Sequence, residues 1–216
     1  KGGERWRLQS NPILMKTALG IIIVLVLALG VWLSLRLGAT APAAVNEPVA
    51  TSSIPGWATY SSAQFSIQYP VGYNADDAYT YTGMGPAQTI VGTKFTIDPA
   101  TASGTNLSLD SYVSVELLPG AINSCSAEIY LQDAHSAGLL DQGGRRYSVA
   151  TSSGAAAGNR YEEVVFATPV AGGCIAVRYM IHYGVLENYP AGAVLEFDRY
   201  SLLSQFDSIR RTLVLK

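Results

Sequence analysis

Cysteine, histidine and charge are all scarce in this chain. It holds two cysteines and two histidines in 216 residues, and Cys125, Cys174, His135 and His182 show no metal-ligand spacing, so no metal and no cofactor is expected. Hydrolase signatures are missing too. There is no G-x-S-x-G, S-x-x-K or H-E-x-x-H, the local arrangements that place a nucleophile or zinc ligands beside a base. A basic surplus is also lacking: after residue 39, nine Lys and Arg face fifteen Asp and Glu, a net charge of about −6. That balance excludes nucleic acid as a partner and gives no attraction to anionic lipid.

Charge is absent altogether from residues 17–35, nineteen in a row, of which twelve are Leu, Ile or Val. As a helix at about 1.5 Å per residue this run is roughly 28 Å long, near the ~30 Å of a bilayer core. The expected organisation is a basic cytoplasmic head at 1–16, a transmembrane helix or signal-anchor at 17–37, a linker at 38–56 and one domain at 57–216. Lys1, Arg5, Arg7 and Lys16 precede the run, which favours a single pass through the cytoplasmic membrane with the N-terminus inside and the C-terminal domain outside. A cleaved signal peptide is the alternative, since small residues follow at 39–43, but the apolar run exceeds the usual h-region. The linker is Ala, Pro, Ser and Thr with one acid, too poor in large apolar groups to pack, and reads as a semi-extended spacer. In an exported domain, Cys125 and Cys174 are expected to form one disulfide.

Strands are expected where apolar residues alternate with polar ones. Phe65, Ile67 and Tyr69 alternate up to Pro70; further strands are read at 89–97, 112–117, 146–151, 160–168 and 174–183, with a short one near Tyr79 and Tyr81. The strands at 160–168 and 174–183 form a hairpin around Gly172-Gly173. In the second of them Ile175, Val177, Tyr179, Ile181 and Tyr183 share one face, and Cys174, Arg178 and His182 the other. Ile122, Cys125, Ile129 and Leu131 suggest a short helix over 123–134. A closing helix is read at 196–210, with Phe197, Tyr200, Leu203, Phe206 and Ile209 in one stripe, and a final short strand at Leu213 to Leu215. Strands in runs, with few and late helices, indicate an α+β fold, a mostly antiparallel sheet flanked by helices.

Two stretches resemble a known family. Trp57, Tyr60 and Phe65-Ser66-Ile67-Gln68-Tyr69-Pro70 with Gly72-Tyr73, and at the other end Phe197-Asp198, Phe206-Asp207-Ser208-Ile209 and Thr212-Leu213-Val214-Leu215, resemble PsbP-like domains, including those of membrane-anchored bacterial exported proteins. Cys125 and Cys174-Ile175-Ala176-Val177 are similar to a cysteine pair in the anchored versions. Leu213 stands where an aromatic is usual. The resemblance implies an antiparallel sheet sandwiched by helices and a theme of binding other proteins. It brings no catalytic or ligand residue.

The expected function is therefore a membrane-tethered extracytoplasmic binding or accessory module without a catalytic role. Its partners would be the lipid bilayer through the N-terminal helix and an envelope protein. Tyr69, Tyr73, Tyr79 and Tyr81 lie close in sequence and supply rigid contact area with a polar tip. With Arg178 and His182 they form the candidate binding surface. The alternatives are an envelope hydrolase or a small-ligand carrier whose site forms only in three dimensions. Of the adjacent acids, Asp76-Asp77 reads as a solvated loop, and Glu162 and Glu163 on a strand point to opposite faces, so they cannot flank one bond. Asn106-Leu107-Ser108 is a glycosylation sequon read as chance.

Overall fold

A computed structural model describes residues 54–85 and 88–216. The chain divides into two units, Lys1–Ala50 and Thr51–Lys216, and the described residues belong to the second. Its strands are β1 (Trp57–Ser61), β2 (Phe65–Pro70), β3 (Asn74–Asp76), β4 (Thr80–Tyr81), β5 (Ile90–Thr96), β6 (Tyr112–Pro119), β7 (His135–Gln142), β8 (Arg145–Ala156), β9 (Asn159–Val170), β10 (Gly173–Gly184) and β11 (Val214–Leu215). The helices are α1 (Pro99–Ala102) and α2 (Arg199–Arg211). One sheet runs β3-β5-β6-β10-β9-β8-β7, with β4 also paired to β5, and a small sheet runs β1-β2-β11. All these pairings are antiparallel.

The alternation expected for β10 sets the core. Ile175, Val177, Tyr179 and Ile181 are buried on one face with Phe95 of β5, Val113 and Val115 of β6 and Phe166 of β9. Phe65 and Ile67 of β2 and Phe206 and Ile209 of α2 close over them, so the small sheet and α2 form the layer on this side. Tyr179 fastens α2. Its hydroxyl donates to Asp207 at 2.8 Å and accepts from Arg210 Nε at 2.7 Å, while the guanidinium lies 4.1 Å from the Phe166 ring centre. α2 begins at Asp198, whose carboxylate accepts from the Ser201 amide at 3.0 Å, an N-cap that satisfies an otherwise orphaned donor. Asn106 ties the neighbouring loop: it is buried, donates to the Gly184 carbonyl at 2.7 Å and accepts from the Phe197 amide at 3.0 Å. The sequon asparagine is thus a structural clamp.

Three expectations change. The fold is mostly antiparallel β rather than the expected α+β arrangement of a sheet flanked by helices, because among the described residues the second face of the large sheet is covered by 3-10 turns and irregular chain. The helix expected over 123–134 is two 3-10 turns, Ile122–Ser124 and Ala127–Tyr130, separated by extended Cys125 and Ser126. Cys125 is bonded to Cys174 on β10 and Ile122 is 46% exposed, so the apparent stripe has no common face. In α2 the buried stripe is Leu202, Phe206 and Ile209, and Tyr200 is 83% exposed. A three-residue spacing drifts off one face of a helix with 3.6 residues per turn.

The single-pass placement, with the C-terminal domain outside a cytoplasmic membrane, does not stand on the structure. Among the described residues no helix is long and apolar enough to cross a membrane. The longest, α2, has 13 residues, about 20 Å at 1.5 Å per residue. The head at 1–16, the span at 17–37 and most of the linker at 38–56 lie outside the described residues.

Candidate functional site

The face of β10 opposite the main core is where the chemistry gathers. Arg178 points into it and is fully buried. Its Nε and Nη2 each donate at 2.8 Å to the two oxygens of Glu116 on β6, itself fully buried, and Nη2 also donates to the Tyr130 carbonyl at 2.7 Å. A third ion-pair bond runs from Nη1 to Glu163 of β9. The Tyr81 ring caps the guanidinium, 3.6 Å from its central carbon, and the Tyr81 hydroxyl meets both Glu163 oxygens at 3.2 Å. Ser114 donates to Glu116 at 2.7 Å. Burial works to discharge Arg178, but the two carboxylates outweigh it and raise its pKa above the usual guanidinium value.

Two features of the chain make this cluster possible. Gly92 of β5 sits opposite Glu116, and a Cβ there would come within 2.4 Å of the Val115 carbonyl and 3.2 Å of Glu116 Cγ, so only glycine leaves the carboxylate its place. The Cys125–Cys174 disulfide pins the 3-10 turns over the same face, which brings the Tyr130 carbonyl to Arg178. The Tyr130 hydroxyl donates back to the Cys174 carbonyl at 2.7 Å.

The candidate binding residues do not form one surface. Tyr69 and Tyr73 join the main core: Tyr69 lies 4.7 Å from Phe95, and Tyr73 is buried with its hydroxyl donating to Gln205 at 2.9 Å. Tyr79 and Tyr81 belong to the other face. Tyr79 shares a 2.7 Å hydrogen bond with Tyr112. Burial pushes the Tyr73, Tyr79 and Tyr112 hydroxyls well above the usual phenol value, and Tyr81 to about 12. Glu162 and Glu163 do face opposite ways: Glu162 accepts from Tyr183 at 2.8 Å and pairs with Arg199.

His182 stacks on Tyr161, ring centres 4.4 Å apart, and shares a 2.7 Å hydrogen bond through Nδ1 with Asp110. Burial raises the Asp110 pKa, but hydrogen bonds from Ser108 and His182 more than offset this and hold it below the usual value. The His182 Nε2 is buried and meets no hydrogen-bonding partner among the described residues. The imidazole is oriented by Asp110, and among the described residues no nucleophile is hydrogen-bonded to its ring. His135 opens β7 at the surface.

One member of the charge cluster reaches solvent. Glu163, 16% exposed at its side chain, floors a cleft of about 300 Å³ whose walls include Tyr81, Gln132, Asp133, Tyr161 and Met180. A second cleft of about 400 Å³, lined by Ser153, Ala155, Arg160, Glu162 and Tyr183, lies on the opposite face of the same β8–β9 end. A larger one of about 510 Å³ follows α2 past Trp57, Phe197 and Tyr200. Its one carboxylate, Asp198, is committed to the helix cap, so the smaller paired clefts carry more recognition chemistry.

Sequence reasoning did not single out Glu116, because its alternation with Val115 and Leu117 gives the face it lies on and not that this face is buried. The signal was Cys174: a cysteine bonded across from Arg178's own face implies that chain covers that face.

No family model matches the chain, and no curated protein matches it. One similar solved structure is a crystal structure from Bacteroides thetaiotaomicron VPI-5482, 15% identical, aligned over 70% of this chain with a TM-score of 0.40. The alignment takes in 45% of that chain's length.

Proposed function

We propose that this is a non-catalytic binding module whose recognition site is the β8–β9 end with its two clefts. The observation that carries the reading is the state of the charge cluster. Glu116 and Arg178 are fully buried and bonded to each other, and Glu163 is held by Arg178 and Tyr81, so these groups fix a surface and have no freedom to move protons. Among the described residues the ring of His182 is hydrogen-bonded to a carboxylate and to no nucleophile. The resemblance of the chain's ends to PsbP-like domains supports the same reading through that family's theme of protein binding.

The test is site-specific photo-crosslinking in the cells that produce the protein, with the photoreactive residue at Ser153 between the clefts or at Leu139, 70% exposed on β7. A discrete adduct at Ser153 and none at Leu139 is the expected result. Turnover of a hydrolase substrate panel by the wild type, abolished by His182→Ala, would overturn the reading.

A further inference from the structure

The outer edge of β8 is open. β7 pairs with β8 only from Arg145 to Thr151, while β8 continues to Ala156 along β9, so the five residues 152–156 have a strand on one side alone among the described residues. Their sequence is Ser-Ser-Gly-Ala-Ala, and 153–156 are exposed. Protein edges are normally guarded by Lys, Pro, a bulge or a covering loop. This edge has no charge or proline of its own, and the bulge in the β7–β8 ladder falls earlier, at Ser136 and Gly138.

The turn fixes which groups point outward. Ala157 and Gly158 both have positive φ, 50° and 79°, the signature of a two-residue type I′ hairpin turn. The flanking pair Ala156 and Asn159 is then the hydrogen-bonded pair, and bonded pairs recur every second residue. Gly154 therefore bonds to β9, and Ser153 and Ala155 aim N–H and C=O into the open edge.

Resting on the reading of this end as a recognition site, we infer that β8 takes up an extended segment of another protein as an added strand, with a basic side chain of that segment seated over Glu163. Strand addition gains affinity from main-chain hydrogen bonds and selectivity from pockets for alternate side chains. The two clefts stand where those side chains fall, one on each face of the edge. The first holds Glu163 and Asp133 and has no basic residue in its lining; Arg178 beneath it is outnumbered by Glu116 and Glu163. A Lys or Arg is the complement. The residues after 39 carry nine bases against fifteen acids, which favours a basic partner at long range. A second copy of the chain fits less well, because five paired residues span about 17 Å and place small residues against small residues. A stable dimer buries roughly 1,200 Å² or more.

The test is fluorescence anisotropy of the purified chain with the labelled peptide Thr-Val-Thr-Lys-Thr-Val-Thr, a version with Glu for Lys, and one N-methylated at alternate residues to remove its edge donors. The expected result is saturable binding of the lysine peptide, weaker by about tenfold or more for the other two, and weaker as salt rises. Ala155→Pro removes one outward N–H and no β9 bond, and should abolish binding while the melting temperature confirms folding. Equal binding of the N-methylated peptide to the wild type would overturn strand addition whatever the variant does. No binding up to about 1 mM would overturn it as well, and self-association abolished by Ala155→Pro would assign the edge to a second copy instead. In either case a Ser153 crosslink would leave the binding-module reading standing.

Discussion

Arg178→Met tests how much of the fold hangs on the buried cluster. The substitution keeps most of the side-chain volume and removes three of the hydrogen bonds that hold carboxylates on that face, two to Glu116 and one to Glu163. Glu116 is left fully buried with only the Ser114 hydroxyl. Breaking a buried pair by removing one partner costs about 3–5 kcal/mol, a large share of the roughly 5–15 kcal/mol that stabilises a typical domain. For a domain of this size each kcal/mol moves the melting temperature by about 2–4 °C, so a fall of roughly 6–20 °C is expected. Urea unfolding followed by tryptophan fluorescence should show a lower midpoint with an unchanged slope. Replacing both partners, Arg178→Met with Glu116→Met, removes the stranded charge, and should be more stable than Arg178→Met alone. The reasoning is refuted if Arg178→Met melts within about 3 °C of the wild type, or if the double variant is no better than the single one.

Reducing the disulfide, or replacing Cys125 and Cys174 together by Ser, should cost about 4 kcal/mol from a loop of 49 residues in the loop-entropy model, read as a lower melting temperature with reductant. Gly92→Ala should cost about 1–3 kcal/mol, since its methyl would press on the Val115 backbone; an unchanged urea midpoint would contradict the close approach. Tyr73, Tyr79, Tyr112, Tyr130 and Tyr179 have hydroxyls raised by burial. Their contribution is therefore full below the unfolded phenol value of about 10 and lost as pH rises through the folded values. Tyrosinate absorbance should show these rings silent near pH 10 and ionising only with unfolding. Burial raises Asp207, yet bonds from Arg210 and Tyr179 hold it below its usual value. Its contribution is present above the unfolded value of about 3.9 and lost as pH falls below it, so Asp207→Asn should flatten the acid limb of the stability profile.

The central strands were legible because alternation is a direct print of burial on one face. β10 shows it best: its apolar face is the main core, as its residues predict, and its cysteine and arginine share the other. β7 gave no print, since His135 to Leu139 are exposed and nothing apolar recurs with period two. The burial of the second face was not legible, for a physical reason. Ser114, Glu116 and Arg178 are polar, and their burial depends on chain from 121 to 134 folding over them, a long-range event that local pattern does not encode. The same gap hid the open edge, which depends on where β7 stops along β8.

The most direct measurement is residue-resolved amide exchange on β8 by NMR, in the free chain and with the lysine peptide. Gly154 bonds to β9 and should be protected in both states, while Ser153 and Ala155 should exchange fast when free and slowly when bound. Protection appearing equally along 152–156, or none at Ser153 and Ala155 under saturating peptide, would contradict recognition through the β8 edge.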